Sequence, residues 1–154
     1  MIRSAQPKDL TAVEAIVAAA YGIYIDRIGK PPGPMLDDYR ELTAAGAMSL
    51  IEEPHGGVAG IIVLLLKPDH LLLDNIAVRP EHQGQGIGRR LIAFAESEAR
   101  RLGRTELRLY THEKMIENIA LYRRLGFVET GRGYEAGYNR VFMLKQLHNW
   151  RCYT

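Results

Sequence analysis

The sequence predicts an α+β domain with a mixed, mostly antiparallel sheet flanked by helices. Three observations predict it. Runs rich in β-branched and aliphatic residues at 48–52, 58–66 and 71–78 are separated by short turns. A long amphipathic stretch, opened by a glycine-rich loop, follows the third run. Beyond it come one more strand, a helix and a closing pair of strands, so a single strand–helix–strand crossover interrupts an antiparallel meander.

At 154 residues and 47% hydrophobic, the chain is expected to form one domain, 1–154, with material for a full core. The net charge is +2, with Lys and Arg scattered, so no basic block points to a nucleic-acid partner. The one cysteine, Cys152, excludes an internal disulfide framework and a cysteine zinc cluster, and a reducing cytoplasm is the expected location. The N-terminus lacks an apolar signal core and the longest apolar run, Ile61 to Leu66, is too short to cross a bilayer, so no membrane partner is expected.

The elements follow in order. A short strand at 2–5 gives way at Pro7 to a helix through Tyr24, whose Leu10, Val13, Ile16, Val17, Ala20 and Tyr21 share one face and whose Thr11 and Glu14 form a capping pair. Residues 26–34 hold too many prolines and glycines for regular structure, and a short helix is expected over 35–45. Strands at 48–52 and 58–66 flank a turn at Glu53-Pro54-His55-Gly56-Gly57, and a third strand spans 71–78. A helix over 86–102 buries Ile87, Leu91, Phe94, Ala95, Ala99 and Leu102, with Gly103 as C-cap. A strand at 106–111, a helix at 116–125 ended by Gly126, and strands at 127–130 and 140–145 complete the chain.

The informative junction is the start of the long helix. Gln83-Gly84-Gln85-Gly86-Ile87-Gly88 precedes Arg89-Arg90. Glycines at 84, 86 and 88 let a ligand approach the backbone and permit positive φ angles that turn successive N–H groups toward one centre. That centre coincides with the positive end of the helix dipole, so a pyrophosphate fits, with Gln83, Arg89 and Arg90 at the rim. A nucleotide-triphosphatase loop requires Gly-Lys-Ser or Gly-Lys-Thr, which Gly88-Arg89-Arg90 does not supply. A dinucleotide fingerprint requires a different last glycine spacing directly after the strand, and Glu106 stands at the start of its strand instead of its end.

The segment Val78-Arg79-Pro80-Glu81-His82-Gln83-Gly84-Gln85-Gly86-Ile87-Gly88-Arg89-Arg90-Leu91 resembles the acetyl-CoA signature of the GNAT family of N-acetyltransferases, in which Gln83, Gly86 and Gly88 fill the Arg/Gln-x-x-Gly-x-Gly/Ala positions. A second stretch, Asn118-Ile119-Ala120-Leu121-Tyr122-Arg123-Arg124-Leu125-Gly126-Phe127, is similar to the family's Asn…Ala…Tyr…Gly-Phe helix, and the element order agrees over nearly the whole chain. The resemblance implies a GNAT-like acyl-CoA N-acyltransferase fold and transfer of an acetyl group from acetyl-CoA, as co-substrate, to a primary amine of a small molecule or peptide by direct attack in a ternary complex. No metal is implied. An acyl-CoA-binding sensor without turnover is the alternative.

The resemblance further assigns roles. The backbone of Asn75, Ile76, Ala77 and Val78 pairs with the pantetheine arm across a bulge, and the Ile76 N–H polarises the thioester carbonyl. The loop from Gln83 to Arg89, including Gly84, Gln85 and Ile87, holds the pyrophosphate, and Asn118 hydrogen-bonds the coenzyme. Tyr122 is the candidate acid for the leaving thiolate, since an amine titrating near about 10.4 and a thiol near about 8.5 profit from both a base and an acid. Asp74 and Glu52 are the candidate bases, acting through water. The 21–39 loop, with Tyr24, Asp26, Arg27, Lys30, Asp37 and Tyr39, and His112, Tyr134 and Tyr138 are candidate acceptor contacts. The tail Trp150-Arg151-Cys152-Tyr153 is a candidate homodimer contact.

Overall fold

The computed structural model describes residues 1–147; the Trp150–Tyr153 tail lies outside the described residues. The chain divides into two compact units, one made of Met1–Leu64 with Asn75–Leu91, the other of Leu65–Asp74 with the chain from Ile92 onward. Its seven strands follow the order β1-β2-β3-β4-β5-β7-β6 in one mixed sheet, the α+β architecture that the sequence predicts.

In the first unit, β1 (Ile2–Ser4) pairs antiparallel with β2 (Met48–Glu52), which pairs antiparallel with β3 (Val58–Leu66). The turn between them closes through Glu53 N–H to the Gly57 carbonyl at 3.1 Å, with Gly56 and Gly57 at φ of 89° and 88°. Six consecutive buried residues at the start of β3 fit a strand covered on both faces. Helix α1 (Leu10–Tyr21) buries Val13, Ile16, Val17 and Tyr21, the face its spacing predicts.

Three local expectations need correction. Pro7–Asp9 is a 3-10 turn, and the reciprocal cap is Gln6 with Asp9, not Thr11 with Glu14, because the helix proper starts only at Leu10. The first helix is interrupted at Gly22-Ile23, where Ile25 N–H bonds back only three residues to Gly22, and α2 (Tyr24–Ile28) carries regular structure into the stretch expected to be irregular. Gly29, at φ 90°, ends it. The next helix, α3 (Tyr39–Ala44), starts after Asp38, whose carboxylate accepts from the Arg40 and Glu41 N–H groups at 3.1 and 3.2 Å; the prolines ahead of it permit only a 3-10 turn at Gly33–Leu36.

In the second unit, residues Leu71–Leu73 of β4 (Leu71–Val78) pair in parallel with Leu107–Leu109 of β5 (Glu106–His112). Such a pair needs a crossover, and α4 (Ile87–Arg101) is part of it. Along β5 the burial alternates strictly, with Leu107, Leu109 and Thr111 inward. Helix α5 (Ile116–Arg124) ends at Gly126, φ 99°, where the Lys145 ammonium donates to the Leu125 carbonyl at 2.6 Å and pairs with Glu96. A Cβ on Gly126 would lie 3.0 Å from the Lys145 chain that covers it. The last strands, β6 (Val128–Glu135) and β7 (Tyr138–Gln146), are much longer than expected. Ala136 and Gly137, both at positive φ (53° and 87°), form a two-residue hairpin turn that the alternation did not reveal, since β6 is exposed on both faces over most of its length.

Gly60 sets how closely β3 approaches the end of β4. A Cβ there would lie 3.0 Å from the Ala77 carbonyl oxygen and 3.3 Å from Ile51 and Ile87 side-chain carbons. Gly60→Ala is expected to destabilise the fold by about 1–3 kcal/mol, because backbone cannot yield as a side chain does. Thermal unfolding of the variant checks this.

Candidate active site

Arg79 follows β4, and its N–H donates to the Ala59 carbonyl of β3 at 2.9 Å. Backbone groups alternate along a strand, so Ala77 shares the β3-facing direction, while the N–H and C=O groups of Ile76 and Val78 point away from β3. Of the four residues expected to pair with a pantetheine arm, Asn75, Ile76, Ala77 and Val78, only the second and fourth turn their backbone groups away from β3. Asn75, Ile76 and Ala77 are buried and Val78 is half-buried.

After Val78 the chain makes a 3-10 turn over Pro80–His82 and enters the glycine loop. Gly84 and Gly86 adopt φ of 83° and 80°, and a Cβ built on either meets nothing within 4 Å, so both glycines open toward free space. The first helical bond runs from Arg90 N–H to the Gly86 carbonyl at 3.0 Å, so the N–H groups of Ile87, Gly88 and Arg89 precede it. Two glycines that open onto free space beside a helix N-terminus are the elements a pyrophosphate site uses. Gly88 is a correction: it sits inside the first turn of α4 without a positive φ, so only two of the three glycines use the left-handed region. Gln83, Gln85 and Arg89 are exposed at the rim, and Ile87 is buried beneath it.

A brace behind this loop has no counterpart in the sequence reading. His82 contacts the Glu53 carboxylate through Nε2 at 2.8 Å and the Gln85 amide oxygen through Nδ1 at 3.3 Å. Arg79 lies 3.8 Å from both Glu53 and Glu81, and its Nε donates to the Val58 carbonyl at 2.6 Å. The Gln85 and Glu53 bonds raise the His82 pKa above its ordinary value.

Of the two candidate bases, Glu52 is held by Arg3, whose Nε donates at 2.8 Å while the same guanidinium grips Asp9 with both Nη atoms at 2.8 and 2.9 Å. The Arg3 contact keeps the Asp9 carboxyl below the usual carboxylate range. Asp74, in the second unit, accepts from the Tyr110 hydroxyl at 3.2 Å and is half-buried. Asn118 and Tyr122 lie on α5 of that unit. Tyr122 is buried, its ring edge-on to Phe127 at 5.7 Å, and its carbonyl accepts from the Leu125 and Phe127 N–H groups.

Among the candidate acceptor contacts, Tyr24 is buried under the Arg27 guanidinium, 5.3 Å from its ring centre, while Asp26, Lys30 and Asp37 are exposed. His112 meets Tyr138 edge-on at 6.1 Å and accepts from the Lys114 N–H through Nδ1. Tyr134 points into solvent at the β6 end. Tyr39 is buried and belongs to a polar network with Tyr21 and Asn75: Tyr21 Oη lies 2.6 Å from Asn75 Oδ1 and 2.7 Å from the Ile76 carbonyl, Asn75 Nδ2 donates to Tyr39 Oη at 2.6 Å, and Tyr39 donates to the Pro34 carbonyl at 2.6 Å. The signal available in the sequence was an asparagine within the otherwise apolar end of β4. No group of three or more metal-ligating side chains occurs among the described residues.

A strand, a glycine loop with two left-handed residues and a helix N-terminus, followed by a parallel strand, define the acyl-CoA-type architecture expected from the two motifs. The family model described as the Acetyltransferase (GNAT) family matches residues 12–127, and the chain belongs to that family. N-acetyltransferase 8B of Homo sapiens is 29% identical over 113 residues, 70% of this chain and 50% of that protein. The ribosomal protein bS18-alanine N-acetyltransferase of Escherichia coli strain K12 is 36% identical over 75 residues, 49% of this chain and 51% of that protein. The matched chain thus spans about half the length of these relatives. The crystal structure of the ribosomal-protein-S18-alanine N-acetyltransferase from Escherichia coli shares the fold, with a TM-score of 0.72 at 24% identity over 97% of this chain and 94% of that one.

The His82 brace has a pH signature. With its pKa raised, the ring is doubly protonated and donates to both Glu53 and Gln85 at and below its ordinary value of about 6.5. The contribution is full there and is lost as pH rises through the raised value. Acetyl-CoA affinity, measured by calorimetry from about pH 6 to pH 8.5, is expected to fall more steeply for the wild type than for His82→Gln, in which the brace does not titrate.

Proposed function

We propose that the chain is an acetyl-CoA-dependent N-acetyltransferase acting on a primary amine of a small molecule or peptide. The observation that carries the reading is the pair of left-handed glycines, Gly84 and Gly86, opening onto free space ahead of the α4 N-terminus. Family membership supports the reading, and the names of relatives that acetylate amines support the acceptor class.

The loop from Gln83 to Arg89 holds the pyrophosphate of acetyl-CoA, and the outward backbone of Ile76 and Val78 aligns the pantetheine arm. Asn118 adds a hydrogen bond to the coenzyme. The Ile76 N–H stabilises negative charge on the thioester oxygen as the neutral amine attacks the carbonyl carbon. Asp74, poised by Tyr110 and not sequestered by an arginine as Glu52 is, takes the proton from the attacking nitrogen through water. The carbon–sulfur bond breaks and Tyr122 gives its phenolic proton to the departing thiolate, which leaves as free coenzyme A. Products are the N-acetylated amine and the thiol. In this reading the protein works in the cytoplasm.

Acetyl-CoA is expected to raise the melting temperature and NADPH is not; stabilisation by NADPH alone defeats the reading. Thiol release over a panel that includes an alanine-terminated hexapeptide and spermidine identifies the acceptor class. A chain that binds acetyl-CoA and releases no thiol with any amine is a sensor instead of an enzyme. With an amine that is turned over, Tyr122→Phe should lower kcat by roughly 100-fold or more while acetyl-CoA affinity changes far less. Unchanged kcat removes Tyr122 from the chemistry.

A further inference from the structure

A buried polar network borders the end of β4. Tyr21, Asn75 and Tyr39 are each at least 95% buried, come from α1, β4 and α3, and are joined by hydrogen bonds of 2.6 Å. The chain of contacts starts on the Ile76 carbonyl, passes through the Tyr21 hydroxyl and the Asn75 carboxamide to Tyr39, and ends on the Pro34 carbonyl of the 33–39 arm. It therefore connects the strand segment assigned to the thioester with the segment whose polar and aromatic residues suit an acceptor.

We infer that Tyr21 is a positioning residue for acetyl transfer, which fixes the Ile76 carbonyl and, through Asn75 and Tyr39, sets the 33–39 arm in register with it. The inference rests on the proposed acetyltransferase reading. The hydrogen count gives it chemical content. Tyr21 has one hydroxyl proton but faces two carbonyl-type oxygens, Asn75 Oδ1 and Ile76 O, at 2.6 and 2.7 Å. When it donates to Asn75, the Ile76 carbonyl has a lone pair for another donor. An incoming primary amine carries N–H donors, and the Ile76 C=O and N–H point in the same direction, away from β3, so one residue orients the nucleophile and polarises the electrophile. Because the network joins the strand to the arm, its expected effect falls on the acceptor.

The test measures kinetics of wild type, Tyr21→Phe and Tyr39→Phe with whichever of an alanine-terminated hexapeptide and spermidine the wild type acetylates faster, alongside acetyl-CoA affinity by calorimetry. Tyr21→Phe is expected to lower kcat/KM for the amine about tenfold or more with acetyl-CoA affinity within about twofold, the scale of one buried hydrogen bond. Tyr39→Phe, which removes the Pro34 bond of the arm together with the Asn75 Nδ2 bond and leaves the Tyr21–Ile76 contact in place, is expected to raise the amine KM about threefold with a smaller effect on kcat than Tyr21→Phe has, and it carries the test if Tyr21→Phe does not fold. Loss of melting temperature in either variant with unaltered amine kinetics overturns the inference and leaves the acetyltransferase reading standing. If the wild type acetylates neither amine, that reading fails for these acceptors and the inference falls with it.

Discussion

The parallel pairing of β4 with β5 is the constraint on which the rest of the molecule depends. Adjacent antiparallel strands are joined by a tight turn, as β2–β3 and β6–β7 are, but a parallel neighbour can be reached only by leaving the sheet and returning in the same direction. The crossover makes β4 end in a loop that opens a helix, and that junction offers unpaired N–H groups with the helix dipole behind them. A helix N-terminus beyond the end of β4 is therefore a consequence of the topology. The particular residues, Gly84 and Gly86 in the left-handed region, leave open space beside the loop.

How much of this was legible in the sequence depends on the distance over which each feature is determined. The sequence located β2, β3, β4, α4, β5 and α5 closely, because each is a distinct apolar or amphipathic run, continuous in β3 and alternating in β5, and the signals at their ends are local. It failed where packing imposes no period. Strand β6 is exposed along nearly its whole length, so its sequence carries no alternation, and its extent is set by pairing with β7, which has burial on one face. The 22–38 stretch failed for the opposite reason. One 3-10 turn and a short helix are fixed there by individual prolines, Gly29 and the Asp38 cap, each of which acts over three or four residues.

The site divides in the same way. Gln83, Gly84, Gly86 and the α5 motif are contiguous, so their roles are written in adjacent letters. What a carboxylate does is not. Glu52 and Asp74 looked equivalent in sequence, yet Glu52 is engaged by Arg3, 49 positions away, and Asp74 by Tyr110, 36 positions away. Glu52 Oε1 accepts from a cationic guanidinium that also grips Asp9, whereas Asp74 Oδ1 accepts from a neutral phenol. The difference between the two acids is therefore a property of the fold, beyond the reach of any local pattern.

Asn75 shows the same principle at its sharpest. A carboxamide in the end of an apolar strand is costly unless every polar atom is matched, and here its oxygen and its nitrogen are each met by a buried tyrosine. An apolar residue of similar size would remove the desolvation cost but take from Tyr21 one of its two acceptors and from Tyr39 the donor that faces it. The three residues consequently stand or fall together, which favours a single arrangement of α1, the 33–39 arm and the end of β4 over the looser alternatives an all-apolar contact would allow. Register is what such an arrangement protects, since a shift of even one residue would turn the Ile76 and Val78 backbone groups toward β3.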